Sequence, residues 1–246
     1  MVEQTVDTEV AQALRPLIIS LDYQKHPLAS VMFQAGGTRV LCAVGVDDRV
    51  PPWMRAQNVA GGWLTAEYQM LPSSTPQRGL REAARGKLAG RTQEIQRLIG
   101  RSLRAMIDLK KVGRRTFYVD CDVVDADGGT RCASVSGAAV ALEMAVRRLH
   151  AAGELADWPL LGRVAAVSVG LVAGQPVLDL CYEEDVEAEV DMNVVMTSDR
   201  ELVEVQATAE QRSFSRSQMD CLLELAEKGV GLIFDEQENV LSKMER

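Results

Sequence analysis

Hydrophobic and polar residues alternate over several stretches of the chain, and these stretches predict two runs of β-strands. In the first half, the alternation predicts strands over residues 16–23, 29–36, 38–48, 61–71 and 115–124. In the second half it predicts two hairpins, with strands over residues 163–172, 177–185, 189–197 and 201–210. The Gly36-Gly37 and Pro51-Pro52 pairs fall where predicted strands end, because both residue types interrupt a sheet.

Hydrophobic residues recur at helical spacing in three other stretches. Between residues 92 and 111 they are Ile95, Leu98, Ile99, Leu103 and Met106, while Arg97, Arg101 and Arg104 form a second stripe away from them. Residues 134–150 are apolar on almost every side, which predicts a helix buried between layers. A third helix is predicted over residues 215–234, since Ser215 and Gln218 have the spacing of a capping box.

The order of these elements predicts an α+β protein of two layers, with mixed sheets and packed helices. Several strands follow one another before each helix, whereas in βαβ units strands and helices would alternate. We divide the chain into an N-terminal arm at residues 1–13, a main domain at residues 14–234 and a C-terminal tail at residues 235–246. A break near residue 155 separates the main domain into two intimately packed halves, residues 14–155 and 156–234.

Composition restricts the chemistry available to the chain. Five cysteines, none in a C-x-x-C pair, predict free thiols and argue against a disulfide framework or a zinc site. The two histidines, His26 and His150, are far apart, which leaves little material for Ser-His-Asp, Cys-His or zinc catalysis. No run approaches the roughly 18 apolar residues of a membrane span, and the polar start lacks a secretory pattern. We therefore expect a cytoplasmic protein with no membrane partner.

Charge is distributed unevenly along the chain, whose formal net charge is −8. Twelve lysines and arginines lie between residues 78 and 115, against three acidic residues, Glu82, Glu94 and Asp108. This asymmetry predicts a localised basic surface for a polyanion on an otherwise acidic protein. The alternative interpretation is a solvated helix face, which charged runs commonly form.

Two loops combine glycine with arginine. Residues 125–131 read DADGGTR, where Gly128 and Gly129 leave backbone N–H groups uncovered and Thr130 and Arg131 add a hydroxyl and a forked cation. Gly90 and Arg91 directly precede a predicted helix, whose free N–H groups also favour an anion. Together the loops would form a phosphate site if the fold brought them close. Alone, the first is equally compatible with an ordinary strand-to-helix turn.

An acidic stretch follows in the second half, at Glu183, Glu184, Asp185, Glu187, Glu189 and Asp191. If the segment is extended, Glu187, Glu189 and Asp191 share one face, and a bend could instead bring Asp185 and Asp191 together. Carboxylates placed so closely repel unless a cation lies between them, and oxygen ligands favour Mg²⁺, or alternatively Mn²⁺, over zinc. The competing interpretation is a solvated strand edge protected from aggregation by its charges.

These features together fit a phosphorolytic enzyme acting on RNA. Inorganic phosphate, as co-substrate, supplies the nucleophile, so no activated serine, cysteine or histidine is required. Catalysis then reduces to positioning and charge neutralisation. An unrelated enzyme acting on a small phosphorylated molecule would explain the anion loops, but it would leave the basic segment unexplained.

Long blocks of the sequence resemble the ribonuclease PH family from about residue 14 to residue 234. They include TRVLCAVGVDDRVPPW, GGWLTAEYQMLP, REAARGKLAGRTQEIQRLIGRSLRAMIDL, VDCDVVDADGGTRCASVSGAAVAL and LDLCYEEDVEAEVDMNVVMT, in the family's order. The resemblance implies the ribonuclease PH fold, of the ribosomal protein S5 domain 2-like type, shared with exosome core subunits and polynucleotide phosphorylase. It also implies a reversible, phosphate-dependent 3′-to-5′ exoribonuclease that trims transfer-RNA precursors, releases nucleoside diphosphates and forms a homo-hexamer, a trimer of dimers.

The same resemblance assigns roles to individual positions. It places phosphate binding on Arg91, Gly129, Thr130 and Arg131, and RNA binding on Arg78 and Arg81. It makes Asp185 and Asp191 both the ligands of Mg²⁺ and the catalytic residues, one of which would protonate the departing 3′-oxygen.

The chain departs from the family pattern in the loop that would contact RNA. The stretch LPSSTPQRGLREA carries Ser73 and Leu80 where the family has arginines, although Arg78 and Arg81 remain. Each lost arginine removes a phosphate contact, which predicts weaker RNA binding with a flatter salt dependence. The alternative is a non-catalytic, ring-forming RNA-binding subunit, similar to exosome subunits that keep the fold without the site.

Overall fold

Residues 12–210 and 213–245 are described by the computed structural model of this chain. The strands are β1 (Leu17–Leu21), β2 (Ala29–Ala35), β3 (Thr38–Asp47), β4 (Trp63–Met70), β5 (Thr116–Asp125), β6 (Val164–Val172), β7 (Gln175–Leu178), β8 (Val190–Thr197) and β9 (Leu202–Ala209). The α-helices are α1 (Pro52–Ala56), α2 (Gly90–Ala105), α3 (Thr130–Ala151), α4 (Tyr182–Glu187) and α5 (Arg216–Leu241). Short 3₁₀ turns occupy Glu82–Arg85 and Ser242–Glu245.

The first sheet has five strands in the order β1-β2-β3-β5-β4. Its pairs are antiparallel except for the parallel pair of β4 and β5, which makes the sheet mixed. Alternation in β5 works as predicted, because Phe117, Val119, Cys121 and Val123 are all buried on one face. That face belongs to the largest hydrophobic cluster of the described residues. Strand β5 ends at Asp125, which is the first residue of the DADGGTR loop.

The second sheet has four antiparallel strands in the order β7-β6-β8-β9. Strand β6 is buried at every residue because α3 and α5 both pack against it. A strand covered on both faces reads as a continuous apolar run, which is what residues 164–172 show.

Helix α3 lies between the two sheets, as the all-round hydrophobic pattern predicts. It packs against β2, β3 and β5 of the first sheet and against β6 and β8 of the second. Small residues permit this close approach: a Cβ atom on Gly137 would lie 2.7 Å from Phe33 Cβ and 2.9 Å from Cys42 Sγ. Helix α3 begins at Thr130, so the DADGGTR loop leads directly into the helix that packs between the two sheets.

The structure corrects the predicted strand at residues 177–185. Strand β7 ends at Leu178, and Asp179 adopts a left-handed backbone with φ of +57°, which interrupts the extended chain. Residues 182–187 then form α4, where the Cys181 N–H donates to Glu184 Oε2 at 2.9 Å in a capping box. The prediction missed α4 because a helix this short leaves little periodic signal.

Two helix ends also differ from the sequence-based prediction. Helix α2 ends at Ala105, so residues 106–111 leave the helical path. Helix α5 continues past residue 234 to Leu241, and its final turns are held by buried Gln237, whose Nε2 donates to Ser136 O at 3.1 Å. Residues 235–241 therefore continue α5.

The predicted N-terminal arm and the expected lack of a membrane-spanning helix can be compared with the structure only for the described residues. The proposed N-terminal arm lies largely outside the described residues, which begin at residue 12. Among the described helices, none combines the length and apolar character needed to cross a membrane.

Candidate active site

A cavity of about 200 Å³ lies where the first sheet, α3 and the second sheet meet. It is lined by Met70, Thr75, Arg91, Ala126, Gly128, Gly129, Thr130, Arg131, Ser168, Tyr182, Asp185, Asp191 and Asn193. The structure thus brings the DADGGTR loop, Arg91 and both candidate aspartates into one site. Gly90 does not line the cavity, and the predicted loop is instead the first turn of α2, where the Glu82 carboxylate accepts from the Ala89 N–H and the Thr92 hydroxyl. Arg78 and Arg81, the candidate RNA-binding residues, do not line this cavity.

Backbone geometry explains the two glycines of the DADGGTR loop. Gly128 and Gly129 have φ angles of +75° and +62°, in the left-handed region that favours glycine. A Cβ atom on Gly128 would also lie 2.6 Å from the carbonyl carbon of Cys181, so no side chain fits there. Gly129 is the N-cap of α3 and offers no side chain to cap it, which leaves the first N–H groups of the helix available to an anion.

Residues from both sheets hold this loop from beneath. The hydroxyl of Thr38 donates to Gly128 O at 2.6 Å and accepts from the Asp127 N–H at 2.9 Å. Arg15 donates to Asp127 O and pairs with Asp179 through Nη2–Oδ1 and Nε–Oδ2 contacts of 2.7 and 3.0 Å. Burial lowers the pKa of Arg15, but Asp179 outweighs it, so the pKa is raised. Sequence analysis missed Arg15 and Asp179, because no local pattern links residues so far apart.

Arg91 and Arg131 both lie near the Tyr68 hydroxyl at the start of α3. The Tyr68 hydroxyl lies 3.0 Å from Thr130 Oγ1, and burial raises the pKa of Tyr68, although the charges of Arg91 and Arg131 oppose the rise. Both guanidinium groups therefore act on the Tyr68 hydroxyl, which contacts Thr130. Arg131 is held by a hydrogen bond to Gln206 Oε1. Arg131 also forms an ion pair with Glu94, with Nη1 3.6 Å from Oε1, so part of its charge is balanced within the protein.

Asp185 and Asp191 face the same cavity from α4 and the start of β8. Burial raises the pKa of Asp191, and the charge of Asp185 raises it further, whereas Arg131 lowers it. Asp191 Oδ1 is buried and has no hydrogen-bond partner in the described part of the chain. Because α4 is helical, the bend interpretation is correct and the extended one, with Glu187 on the same face as Asp191, is wrong.

Asp185 and Asp191 are a pair, without a third ligand of the same kind among the residues that the structure describes. Within the described residues, no group of three or more His, Cys, Asp or Glu side chains is placed to hold a metal ion. Mg²⁺ is commonly held by one or two carboxylates together with water and phosphate oxygens, so a pair is sufficient for it. The Oδ1 atom of Asp191, which has no hydrogen-bond partner among the described residues, is available to coordinate such an ion.

The cavity residues that were not predicted as site residues include two polar ones on the second sheet. Ser168 and Asn193 are directly opposite each other on β6 and β8. Asn193 Oδ1 accepts a hydrogen bond from Cys132 Sγ at 3.2 Å, whereas the buried Ser168 hydroxyl has no partner among the described residues. The sequence carries no signal for either, because each sits in a strand that would be buried in any case.

A neighbouring groove of about 280 Å³ extends from the site along the loop after β4. It shares Met70, Thr75 and Arg91 with the first cavity, and the exposed Leu80 lies on its wall. Arg78 and Arg81 are exposed in the same loop, where the charge of Arg81 opposes the rise that burial produces in the pKa of Asp122. The groove reaches Arg91, and its lining includes Gly79, Leu80 and Glu82, which are chain neighbours of the two arginines.

The basic stripe of α2 is partly occupied by structural contacts. Arg104 lies over the Trp63 ring at 5.3 Å and donates to Leu64 O at 3.0 Å. Arg101 pairs with Glu204 of β9. Of the predicted stripe, Arg97 is exposed on the helix surface. Arg101 also remains about half exposed, so Arg97 and Arg101 both stay on the surface of α2.

Two family models match the chain, one over each sheet. Residues 13–147 match domain 1 of the 3′ exoribonuclease family, and residues 162–229 match domain 2. The ribonuclease PH of Halalkalibacterium halodurans is 51% identical over 96% of this chain and 91% of its own length. The chain belongs to the ribonuclease PH family. The ribonuclease PH of Bacillus subtilis is 52% identical over 93% of both chains.

Solved structures of distant proteins confirm the predicted ribonuclease PH fold. Rice Rrp46 superposes with a TM-score of 0.75 at 18% identity, covering 94% of this chain and 97% of its own. A chain of the Archaeoglobus fulgidus exosome, solved with RNA bound to the active site, gives a TM-score of 0.77 at 18% identity, covering 92% and 89%. The predicted family and the predicted α+β fold class are both confirmed.

Proposed function

We propose that this ribonuclease PH family member trims the 3′ ends of transfer-RNA precursors. Its activity class is that of its family, a phosphorolytic 3′-to-5′ exoribonuclease that acts on RNA with phosphate as co-substrate. The observation that carries the assignment of residues is the single cavity that holds Arg91, Thr130, Arg131, Asp185 and Asp191.

The phosphate ion binds between the start of α3 and the arginines. Gly129 and Thr130 present the uncapped N–H groups of α3, and Arg91 and Arg131 supply charge-assisted hydrogen bonds from either side. Fixing the ion there orients one phosphate oxygen for in-line attack on the last phosphodiester of the RNA. The same geometry serves the reverse reaction, in which the terminal phosphate of a nucleoside diphosphate occupies the site.

Asp185 and Asp191 hold Mg²⁺, with Mn²⁺ as the alternative ion. The metal supplies charge neutralisation for the phosphate oxygens that gather at the site. The fit rests on the paired carboxylates and on the buried, unpartnered Oδ1 of Asp191. Proton donation to the departing 3′-oxygen also falls to one member of this pair.

RNA approaches along the groove that Leu80 lines, with Arg78 and Arg81 contacting its phosphates. We further propose that the chain assembles as a homo-hexamer, a trimer of dimers, in the cytoplasm. A ring would place the basic segments of neighbouring subunits around one RNA path and would offset the net charge of −8.

The rival hypothesis is a non-catalytic RNA-binding subunit, which the residues Ser73 and Leu80 in the RNA loop favour. The aspartates argue against it. A scaffold gains nothing from burying the Asp191 carboxylate beside Asp185, since like charges placed so closely disfavour the folded state.

The test is to incubate the protein with a 3′-labelled transfer-RNA precursor and Mg²⁺, with and without inorganic phosphate. We expect nucleoside diphosphates to be released only with phosphate, and Asp191→Asn to abolish their release. Asp220→Asn is the matched control, because Asp220 is an exposed aspartate of α5 that pairs only with Arg216 among the described contacts. Bound RNA without release would support the scaffold hypothesis, and equal activity of the two variants would refute the role of Asp191.

A further inference from the structure

Two buried polar atoms without hydrogen-bond partners lie in the same cavity. In the described part of the chain, buried side-chain atoms that lack a partner are few, and they include Asp191 Oδ1 and Ser168 Oγ. Native proteins rarely leave such atoms unpaired, and each exception calls for an explanation. The metal proposed above explains Asp191 Oδ1 but leaves Ser168 Oγ unexplained.

The position of Ser168 directs its hydroxyl towards the glycine loop. Ser168 lies on β6 with an exposed fraction of 5%, and its backbone carbonyl accepts from the Asp179 N–H at 2.7 Å. Its Oγ is only 3.5 Å from the point that a Cβ atom on Gly129 would occupy. The hydroxyl is therefore on the floor of the site, directly beneath the N-cap of α3.

Other buried serines nearby show what a structural hydroxyl looks like in this fold. Ser136 Oγ donates to Ala166 O at 3.2 Å and accepts from the Ala166 N–H at 3.0 Å, joining α3 to β6. Ser134 Oγ donates to Thr130 O at 2.8 Å. Ser168 is only two positions from Ala166 along β6, yet its hydroxyl bonds to none of the residues that the structure describes. Its donor is free for a ligand that the cavity admits.

We propose that Ser168 is a phosphate-binding residue whose hydroxyl donates a hydrogen bond to the phosphate held by Gly129, Thr130 and Arg131. This inference rests on the proposed function, since it concerns the same bound ion. The ligand is the phosphate group itself, whether it comes from inorganic phosphate in degradation or from a nucleoside diphosphate in the reverse reaction. A buried hydroxyl is well suited to this role because the surrounding low dielectric strengthens a bond to a charged oxygen.

The experiment compares Ser168→Ala with the matched control Ser136→Ala by thermal unfolding, with and without inorganic phosphate, and by phosphorolysis kinetics. Without phosphate, we expect Ser168→Ala to keep or raise the unfolding temperature, because the fold loses no hydrogen bond. We expect Ser136→Ala to lower it. With phosphate, Ser168→Ala should lose most of the rise in unfolding temperature that the wild type shows, whereas Ser136→Ala should keep it.

In the kinetic assay, we expect Ser168→Ala to raise the KM for phosphate by about 10-fold or more, as loss of a hydrogen bond to a charged group does. RNA affinity should be unchanged. An unchanged phosphate KM, or an unfolding temperature that drops as it does for Ser136→Ala, would overturn the proposal while leaving phosphorolysis intact. If wild-type unfolding does not respond to phosphate, Ser168 has no such ligand. Failure of the proposed function itself would be recognised separately, by the absence of nucleoside diphosphate from the wild-type reaction.

Discussion

Arg15 and Asp179 lie 164 residues apart in the chain and form a two-point ion pair directly beneath Gly129. A Cβ atom on Gly129 would lie 3.2 Å from Arg15 Nη2, so the pair supports the loop in direct contact. Arg15 precedes β1 of the first sheet and Asp179 follows β7 of the second. The pair therefore fixes the two sheets relative to each other at the point where both contribute to the site.

Replacing Arg15 should strongly destabilise the protein. Both side chains are largely buried, at 16% and 9% exposure, so Arg15→Ala leaves the Asp179 carboxylate buried without its partner. We expect the free energy of unfolding in urea to fall by about 3–5 kcal/mol. Arg39→Ala is the control, because its pair with Asp125 is 45% and 40% exposed and should contribute under about 1 kcal/mol. Equal losses in the two variants would contradict the assigned importance of the buried pair.

Gly128 should not tolerate a side chain. Gly128→Ala forces a left-handed backbone on alanine and also places its Cβ against the backbone of Leu180 and Cys181. We expect phosphorolysis to fall at least about 100-fold as the loop shifts, since misplacement of about 1 Å is sufficient for such a loss. Gly174→Ala separates the two effects: its φ is +74°, nearly that of Gly128 at +75°, but nothing lies within 4 Å of the added atom. That variant should lose about 1 kcal/mol of stability and retain activity.

Glu143 should make stability depend on pH. Burial raises the pKa of this carboxyl, but hydrogen bonds from Arg163 and Arg147 lower it by more, so the pKa lies below its ordinary value of 4.5. A lowered pKa means that the stabilisation is present above pH 4.5 and is lost as pH falls through the folded-state pKa. Glu143→Gln should therefore lose about 3–5 kcal/mol of unfolding free energy at pH 7, and its difference from wild type should shrink in acid.

The control for Glu143 is Glu238→Gln. Glu238 also pairs with Arg163, but its side chain is 61% exposed. Solvent screening should limit its contribution to under about 1 kcal/mol. Urea unfolding at several pH values between 3 and 7 measures both variants, and a constant difference between Glu143→Gln and wild type would disprove the titration argument.

Restoring an arginine at position 80 should strengthen RNA binding. Leu80 is 62% exposed on the groove that leads to Arg91, so Leu80→Arg adds a cation beside the path proposed for RNA. We expect tighter binding of single-stranded RNA and a slope of log affinity against log salt that is steeper by about 0.7. Leu161→Arg adds the same charge at a leucine that is 64% exposed and lies outside both cavities. A similar change in slope for both variants would show that the effect is one of net charge.

Most of the fold could be predicted from local patterns. The alternation in β5 and the all-round hydrophobicity of α3 record which surfaces are buried, because each element must cover its apolar face. The prediction failed at residues 179–187, where the left-handed Asp179 ends β7 and the short α4 follows. The carboxylate of Asp179 pairs with Arg15. Because Arg15 is 164 residues away in the chain, the residues around Asp179 give no indication of this contact.

The candidate site divides in the same way. Residue types in the DADGGTR loop and the acidic stretch indicated an anion and a cation, but spacing alone left a bend and an extended strand as alternatives for Asp185 and Asp191. Helix α4 decided between them. No sequence pattern identifies Ser168. Its hydroxyl differs from that of a structural serine such as Ser136 only in lying next to Gly129, which is a contact of the folded chain.

By itself, the sequence determined the α+β class, the order of most elements, the family and the chemical character of each loop, because periodicity and residue type express local preferences. The tertiary structure alone decided which groups share one cavity. That outcome depends on α3 packing between two sheets and on contacts such as Thr38 with Gly128 and Arg15 with Asp179. The residues in each of these contacts are distant in sequence, so the contact forms, and stabilises the site, only when the chain has folded.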